Sequence, residues 1–136
     1  MKPLLSLFLL AGWCIAAPPD GMTKLDRGRY LAVEVGKCAD CHTPKTEAGE
    51  LDKEKWFKGK VMEYQPIEPI ADWHKTSPDI TPAGRLWGRW GGEAALVKYL
   101  MTGLTPKGTA AGPPMPTYKM SKEDAEAIVE YLKTLK

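Results

Sequence analysis

The chain has 136 residues, room for one domain rather than two. Charged residues make up 26% and the formal net charge is +2, a balance too mild to argue for nucleic acid as a partner. Of the three cysteines, two stand close together in mid-chain and one near the N-terminus.

Residues 1–17 have the layout of a secretory signal. Met1-Lys2 is a basic start, Leu4 to Leu10 is an apolar run broken only by Ser6, and Ala11 to Ala17 continues it toward small residues before Pro18-Pro19. The expected cut falls after Ala16 or Ala17, which makes the protein an exported, periplasmic one. The run is short for a spanning helix, which needs about 20 apolar residues. Left uncut, the same segment would be a membrane anchor. Leu10-Ala11-Gly12-Trp13-Cys14 is close to a lipoprotein signal, but Trp13 stands where a small residue belongs, so Cys14 reads as discarded with the signal rather than lipidated.

A Pro/Gly-containing lead-in, residues 18–24, precedes a domain over residues 25–136. A first helix is predicted from Lys24 to Lys37, with Leu25, Tyr30, Leu31, Val33 and Val35 as its apolar members and Gly36 near its end. Residues 43–92 read as loop, because Pro44, Pro66, Pro69, Pro78 and Pro82 interrupt any long element. One short helix fits Glu50 to Trp56. So long a structureless stretch needs something to organise it, and a large apolar cofactor would do so. A second helix runs from Gly92 to Met101, with Ala95, Leu96, Tyr99 and Leu100 as a stripe and Gly103 closing it. Residues 104–120 are again loop. The last helix starts at an N-cap, Ser121, with Asp124 placed to complete a capping box. Ala125, Ile128, Val129 and Leu132 then follow at helical spacing.

Cys38-Ala39-Asp40-Cys41-His42 is the C-x-x-C-H signature of covalent c-type haem attachment. Two sulfurs three residues apart project from one side of a helical turn and can add across the two vinyl groups on one porphyrin edge. The next residue brings an imidazole under the iron. There is one such motif, so one haem. The alternatives are a thioredoxin-like pair, which lacks an alternating strand–helix pattern here, half a zinc site, which lacks a second cysteine pair, and a chance match, against which the following His and the long loops argue.

A closed iron site needs a sixth ligand, and the candidates are His74, Met62, Met101, Met115 and Met120. Met115 is preferred. It lies in Gly112-Pro113-Pro114-Met115-Pro116, a loop in which Pro116 biases Met115 toward extended backbone and the prolines reduce the freedom the loop must lose. Met120 reads as a hydrophobic staple against Ala125, Met101 as core, and His74 as the runner-up ligand.

This order of elements resembles class I c-type cytochromes, with the closer likeness to small bacterial monohaem cytochrome c domains such as those in periplasmic dehydrogenases. The residues that carry it are Gly28-Arg29-Tyr30-Leu31, Cys38 to His42, Pro78-Asp79-Ile80-Thr81-Pro82, Gly88-Arg89-Trp90 and Met115-Pro116-Thr117-Tyr118. The resemblance implies an all-α cytochrome c fold: three to four helices and long loops around one covalent haem c, His42 and Met115 as axial ligands, and first and last helices that cross with Gly28 near Tyr131 and Leu132. It puts Trp90 close to the haem, its indole N–H able to donate to a propionate, with plain packing as the alternative. Asp79 replaces the usual Asn of the Pro-Asn-Ile-Thr stretch, so a propionate bond from that side chain is not expected.

The function so implied is a periplasmic single-electron carrier and not an enzyme. Its partners would be redox proteins such as a periplasmic dehydrogenase or a terminal oxidase. A peroxidase would need an open iron site. Lys37, Lys45, Lys107 and Lys119 flank the ligand segments and could steer acidic partners.

Overall fold

The computed structural model describes residues 21–136, and these form five short helices and one two-residue strand pair. The segment read as a signal, residues 1–17 with Cys14, lies outside the described residues. Among the described residues no helix is long and apolar enough to cross a membrane.

Helix α1, Lys24–Tyr30, starts at Thr23, whose hydroxyl accepts the Asp26 N–H. The backbone then widens into a π-helical stretch, Leu31–Val35, closed by the Gly36 N–H on the Leu31 carbonyl at 2.7 Å. This corrects the expected single α-helix to Lys37. Of the expected apolar members, Leu31 and Val33 pack partly buried on the core, whereas Leu25, Tyr30 and Val35 are exposed, and the fully buried positions are the small residues Gly28 and Ala32. Lys37 follows in the left-handed region, with φ 51°, and turns the chain into α2, Cys38–His42.

Small residues decide the burial because α1 crosses the terminal helix α5, Lys122–Lys133, at backbone distance. A Cβ on Gly28 would collide with the Ala127 carbonyl and stand 3.1 Å from the Tyr131 Cβ. Two ion pairs flank the crossing: Arg27 Nε to Asp124 at 2.6 Å and Lys24 to Glu126 at 3.0 Å. Ser121 caps α5 by accepting the Asp124 N–H, as expected, but the Asp124 carboxylate goes to Arg27 and not back to the cap. Ala125, Ile128, Val129 and Leu132 are all buried.

Helix α4, Glu93–Thr102, packs on α5 through Leu96, Tyr99 and Leu100, and Gly103 ends it with φ 73°. Ahead of it lies α3, Arg85–Trp90, inside the stretch read as loop. Six residues bounded by Gly84 and Gly91 are too short for a periodicity signal. Buried Trp87 anchors α3 by donating its indole N–H to the Ile80 carbonyl at 2.7 Å. The expected helix at 50–56 is a single 3₁₀ turn, Lys53–Lys55.

The long loops are held by side chains rather than by regular structure. Strands β1, Lys60–Val61, and β2, Thr76–Ser77, pair antiparallel and close the root of the loop between them. Phe57, fully buried with φ 61°, stacks edge-on with Trp56 and Tyr131. Trp56 donates its N–H to the Tyr131 hydroxyl at 2.9 Å. These contacts pin the segment after His42 onto α5.

Candidate haem-binding site

Helix α2 presents Cys38 and Cys41 half-buried, with Ala39 fully buried between them. Neither thiol is in a disulfide. The turn is fastened from outside: the Ser77 hydroxyl donates to the Cys41 carbonyl at 2.5 Å, and the Gly59 N–H donates to the His42 carbonyl at 2.7 Å.

His42 is 5% exposed, and its Nδ1 lies 2.8 Å from the Pro78 carbonyl oxygen. A carbonyl can only accept, so Nδ1 carries the proton and Nε2 keeps its lone pair for a metal. Burial lowers the imidazole pKa, opposed by the Pro78 carbonyl and by Asp79, which favours the neutral form that binds metal. Ring orientation and tautomer are thus set by a residue 36 positions away.

Met115 is half-buried against the core at the middle of a strap fastened at both ends. At its start the His74 N–H donates to the Pro113 carbonyl at 2.7 Å, and the Asp72 carbonyl and His74 imidazole press on Gly112. At its end the Tyr118 hydroxyl donates to the Gly36 carbonyl at 2.6 Å, two residues before Cys38. Burial pushes that phenol up to about 12, so it remains a donor across the neutral range. Thr117 and Tyr118 also close on Gly103 where a Cβ would stand. The Pro113–Pro114 peptide is cis.

The other candidates divide clearly. Met62 is buried beside β1, outside the main cluster. Met101 and Met120 pack on that cluster, and Met120 donates its N–H to the Leu100 carbonyl. His74 is exposed and is engaged through its backbone. Asp79 accepts from the Thr81 N–H and hydroxyl at 2.8 and 2.7 Å and faces Lys58 at 3.7 Å.

Trp90 is half-buried and stands edge-on to Tyr99, centroids 5.0 Å apart. Trp73, which no sequence motif singles out, is half-buried. Its indole nitrogen is buried with no hydrogen-bond partner, and among the described residues it is the one buried side-chain polar atom in that condition. No pattern in Asp72-Trp73-His74 could have shown this, because the missing acceptor is a tertiary fact.

These residues fit a covalent haem. They offer two thiols on one helical turn, a buried imidazole with Nε2 free and a tethered thioether. Burial pushes the Cys38 thiol up to about 11. Among the described residues no group of three His, Cys, Asp or Glu could hold a metal ion.

The Cytochrome c family model matches residues 25–136. A diheme c-type cytochrome of Cereibacter sphaeroides is 34% identical over 143 residues, covering 96% of this chain and 44% of its own length. The fructose dehydrogenase cytochrome subunit of Gluconobacter japonicus is 32% identical, over 90% of this chain and 26% of that protein. A nicotinate dehydrogenase subunit of Pseudomonas putida is 29% identical, over 93% of this chain and 11% of that protein. The chain thus spans less than half the length of the curated relatives it matches. With the all-α cytochrome c fold and the C-x-x-C-H turn, the match establishes that this chain belongs to the cytochrome c family, whose members bind haem c covalently and transfer electrons.

Proposed function

We propose that this protein is a periplasmic carrier of single electrons with one haem c, bound through Cys38 and Cys41 and ligated by His42 Nε2 and the Met115 thioether. The observation that carries the reading is the 2.8 Å bond from His42 Nδ1–H to the Pro78 carbonyl, which leaves one ring nitrogen available and aims it. When bound, haem c supplies a one-electron Fe(III)/Fe(II) couple. The chain's own residues do the rest. Cys38 and Cys41 tether, His42 donates a neutral nitrogen, and the strap from Gly112 to Tyr118 presents Met115 while excluding competing ligands. A filled sixth position supports a carrier over a peroxidase.

Export is supported by the signal-like residues 1–17, and native protein should begin at Ala17 or Pro18. Two of the relatives are named as components of dehydrogenases, which supports a dehydrogenase as the electron donor. A terminal oxidase is the counterpart acceptor. Trp90, edge-on to Tyr99, serves as a haem-side packing residue in this reading.

The test is Met115→Ala beside Met120→Ala in the haem-loaded protein. Met115→Ala should abolish the weak far-red sulfur–iron(III) band and lower the midpoint potential. A band that survives it and vanishes in Met120→Ala would overturn the ligand assignment.

A further inference from the structure

The loop between β1 and β2 carries apolar side chains that the fold leaves in water. Val61, Tyr64, Ile67 and Ile70 are 71%, 51%, 100% and 49% exposed. Single exposed apolar residues are ordinary, but four on one loop make a patch of the kind that marks an interaction site. The loop is held firmly at its base. Lys60–Val61 pairs with Thr76–Ser77, and the Met62 N–H donates to the Lys75 carbonyl at 2.8 Å. Tyr64 meets Trp73 edge-on, centroids 6.0 Å apart, and the His74 N–H donates to the Pro113 carbonyl at 2.7 Å. Pro66 and Pro69 stiffen the tip. A ridge already fixed in this way loses little further freedom when it is covered.

The charges of the loop indicate what covers it. Glu63 is neutralised within the chain, by Lys45 at 2.7 Å and Lys60 at 3.2 Å. Glu68 at the tip and Lys75 at the root are exposed, and neither has an ion-pair partner among the described residues. Two copies of the loop laid antiparallel about a two-fold axis pair Glu68 of each with Lys75 of the other. The same arrangement sets Ile67 and Ile70 of one tip against Val61 at the root of the other. An isologous contact requires self-complementarity of this kind. Within residues 61–75, Glu63, Glu68 and Asp72 outnumber Lys75, which disfavours an anionic lipid surface as the occupant.

We propose that residues 61–75 are the interface of a symmetric dimer of this cytochrome, an apolar ridge that a second copy covers in antiparallel register with two Glu68–Lys75 ion pairs. Tyr64, midway along the ridge, reaches the Cys41 side chain with its hydroxyl. The contact therefore brings the two haem attachment turns toward each other and gives the pair a route for electron exchange. In that exchange one Fe(II) is oxidised and one Fe(III) is reduced, with no bond made or broken. The exchange rests on the carrier reading above, whereas the interface stands without it.

The test is sedimentation velocity of the haem-loaded protein from micromolar to millimolar concentration. The parent should pass from monomer to dimer across that range. Ile67→Lys should weaken the dimer by about thirtyfold while leaving the optical spectrum and thermal unfolding unchanged. Glu68→Lys should also weaken it, and adding Lys75→Glu to Glu68→Lys should restore it. A parent that stays monomeric throughout would overturn the proposal; binding to phosphatidylcholine vesicles that Ile67→Lys abolishes would then assign the ridge to lipid. A dimer indifferent to Ile67→Lys would overturn it too, by placing the contact on another face. A dimer weakened by Glu68→Lys and not restored by the double exchange would overturn the antiparallel register. Electron self-exchange, read from NMR line broadening in mixed ferric and ferrous samples, should fall with the dimer in Ile67→Lys. Exchange that does not fall would overturn the route past Tyr64. Slow exchange in a parent that does dimerise would instead count against the carrier reading, because sedimentation decides the interface by itself.

Discussion

Gly28→Ala should destabilise this protein sharply, although alanine is the better helix former. Substituting Ala for Gly within a helix gains up to about 1 kcal/mol. At position 28 the new Cβ meets the Ala127 carbonyl and stands 3.1 Å from the Tyr131 Cβ, both on the facing helix. A backbone carbonyl cannot swing aside as a side chain can, so α1 and α5 must separate. Overpacking of this kind costs about 1–3 kcal/mol, and contact with backbone belongs at the upper end. The net loss is about 2 kcal/mol. For a domain of this size that is a fall in Tm of about 10 °C. Gly88→Ala is the matched control, since nothing stands within 4 Å of a Cβ there and the residue lies in α3. It should be neutral or raise stability by up to about 1 kcal/mol. Thermal and urea unfolding of the haem-loaded variants, followed by far-ultraviolet circular dichroism, measures both. A Gly28→Ala protein as stable as the parent would refute the backbone-distance crossing of the first and last helices.

Intact mass of native protein should show the chain plus one haem that resists acid–organic extraction, and Cys38→Ala should abolish most maturation; a haem that extracts freely would refute the thioether assignment. Ser121→Ala removes the acceptor of the Asp124 N–H and should cost about 1 kcal/mol in urea unfolding. Salt should slow electron exchange with an acidic partner only shallowly in stopped-flow experiments. Lys45 is tied to Glu63 at 2.7 Å and Lys37 to Glu34 at 3.8 Å, which leaves Lys107 and Lys119 without an ion pair among the described residues. Lys107→Gln with Lys119→Gln should remove most of the dependence, and Lys45→Gln little of it.

What the sequence determined by itself was what depends on near neighbours along the chain. C-x-x-C-H is covalent chemistry at fixed spacing. The Ser121 cap and the buried stripe of α5, and likewise Leu96, Tyr99 and Leu100 of α4 with Gly103, each rest on contacts within a turn or two. The tertiary structure decided whatever required a distant partner. The His42 tautomer comes from Pro78, the neighbour of Gly28 from Ala127, and the partner of Asp124 from Arg27 rather than from its own cap. The first helix departs from a single α-helix because the backbone widens at Leu31, which no local pattern marks, and burial at Gly28 is decided by how closely α5 approaches and not by hydrophobicity. Helix α3 went unseen because six residues carry too little periodicity, and its stability comes from Trp87 reaching Ile80. Trp73 shows the limit most directly: four tryptophans lie within residues 56–90 with the same chemistry, and only packing reveals which one has a buried N–H still lacking an acceptor.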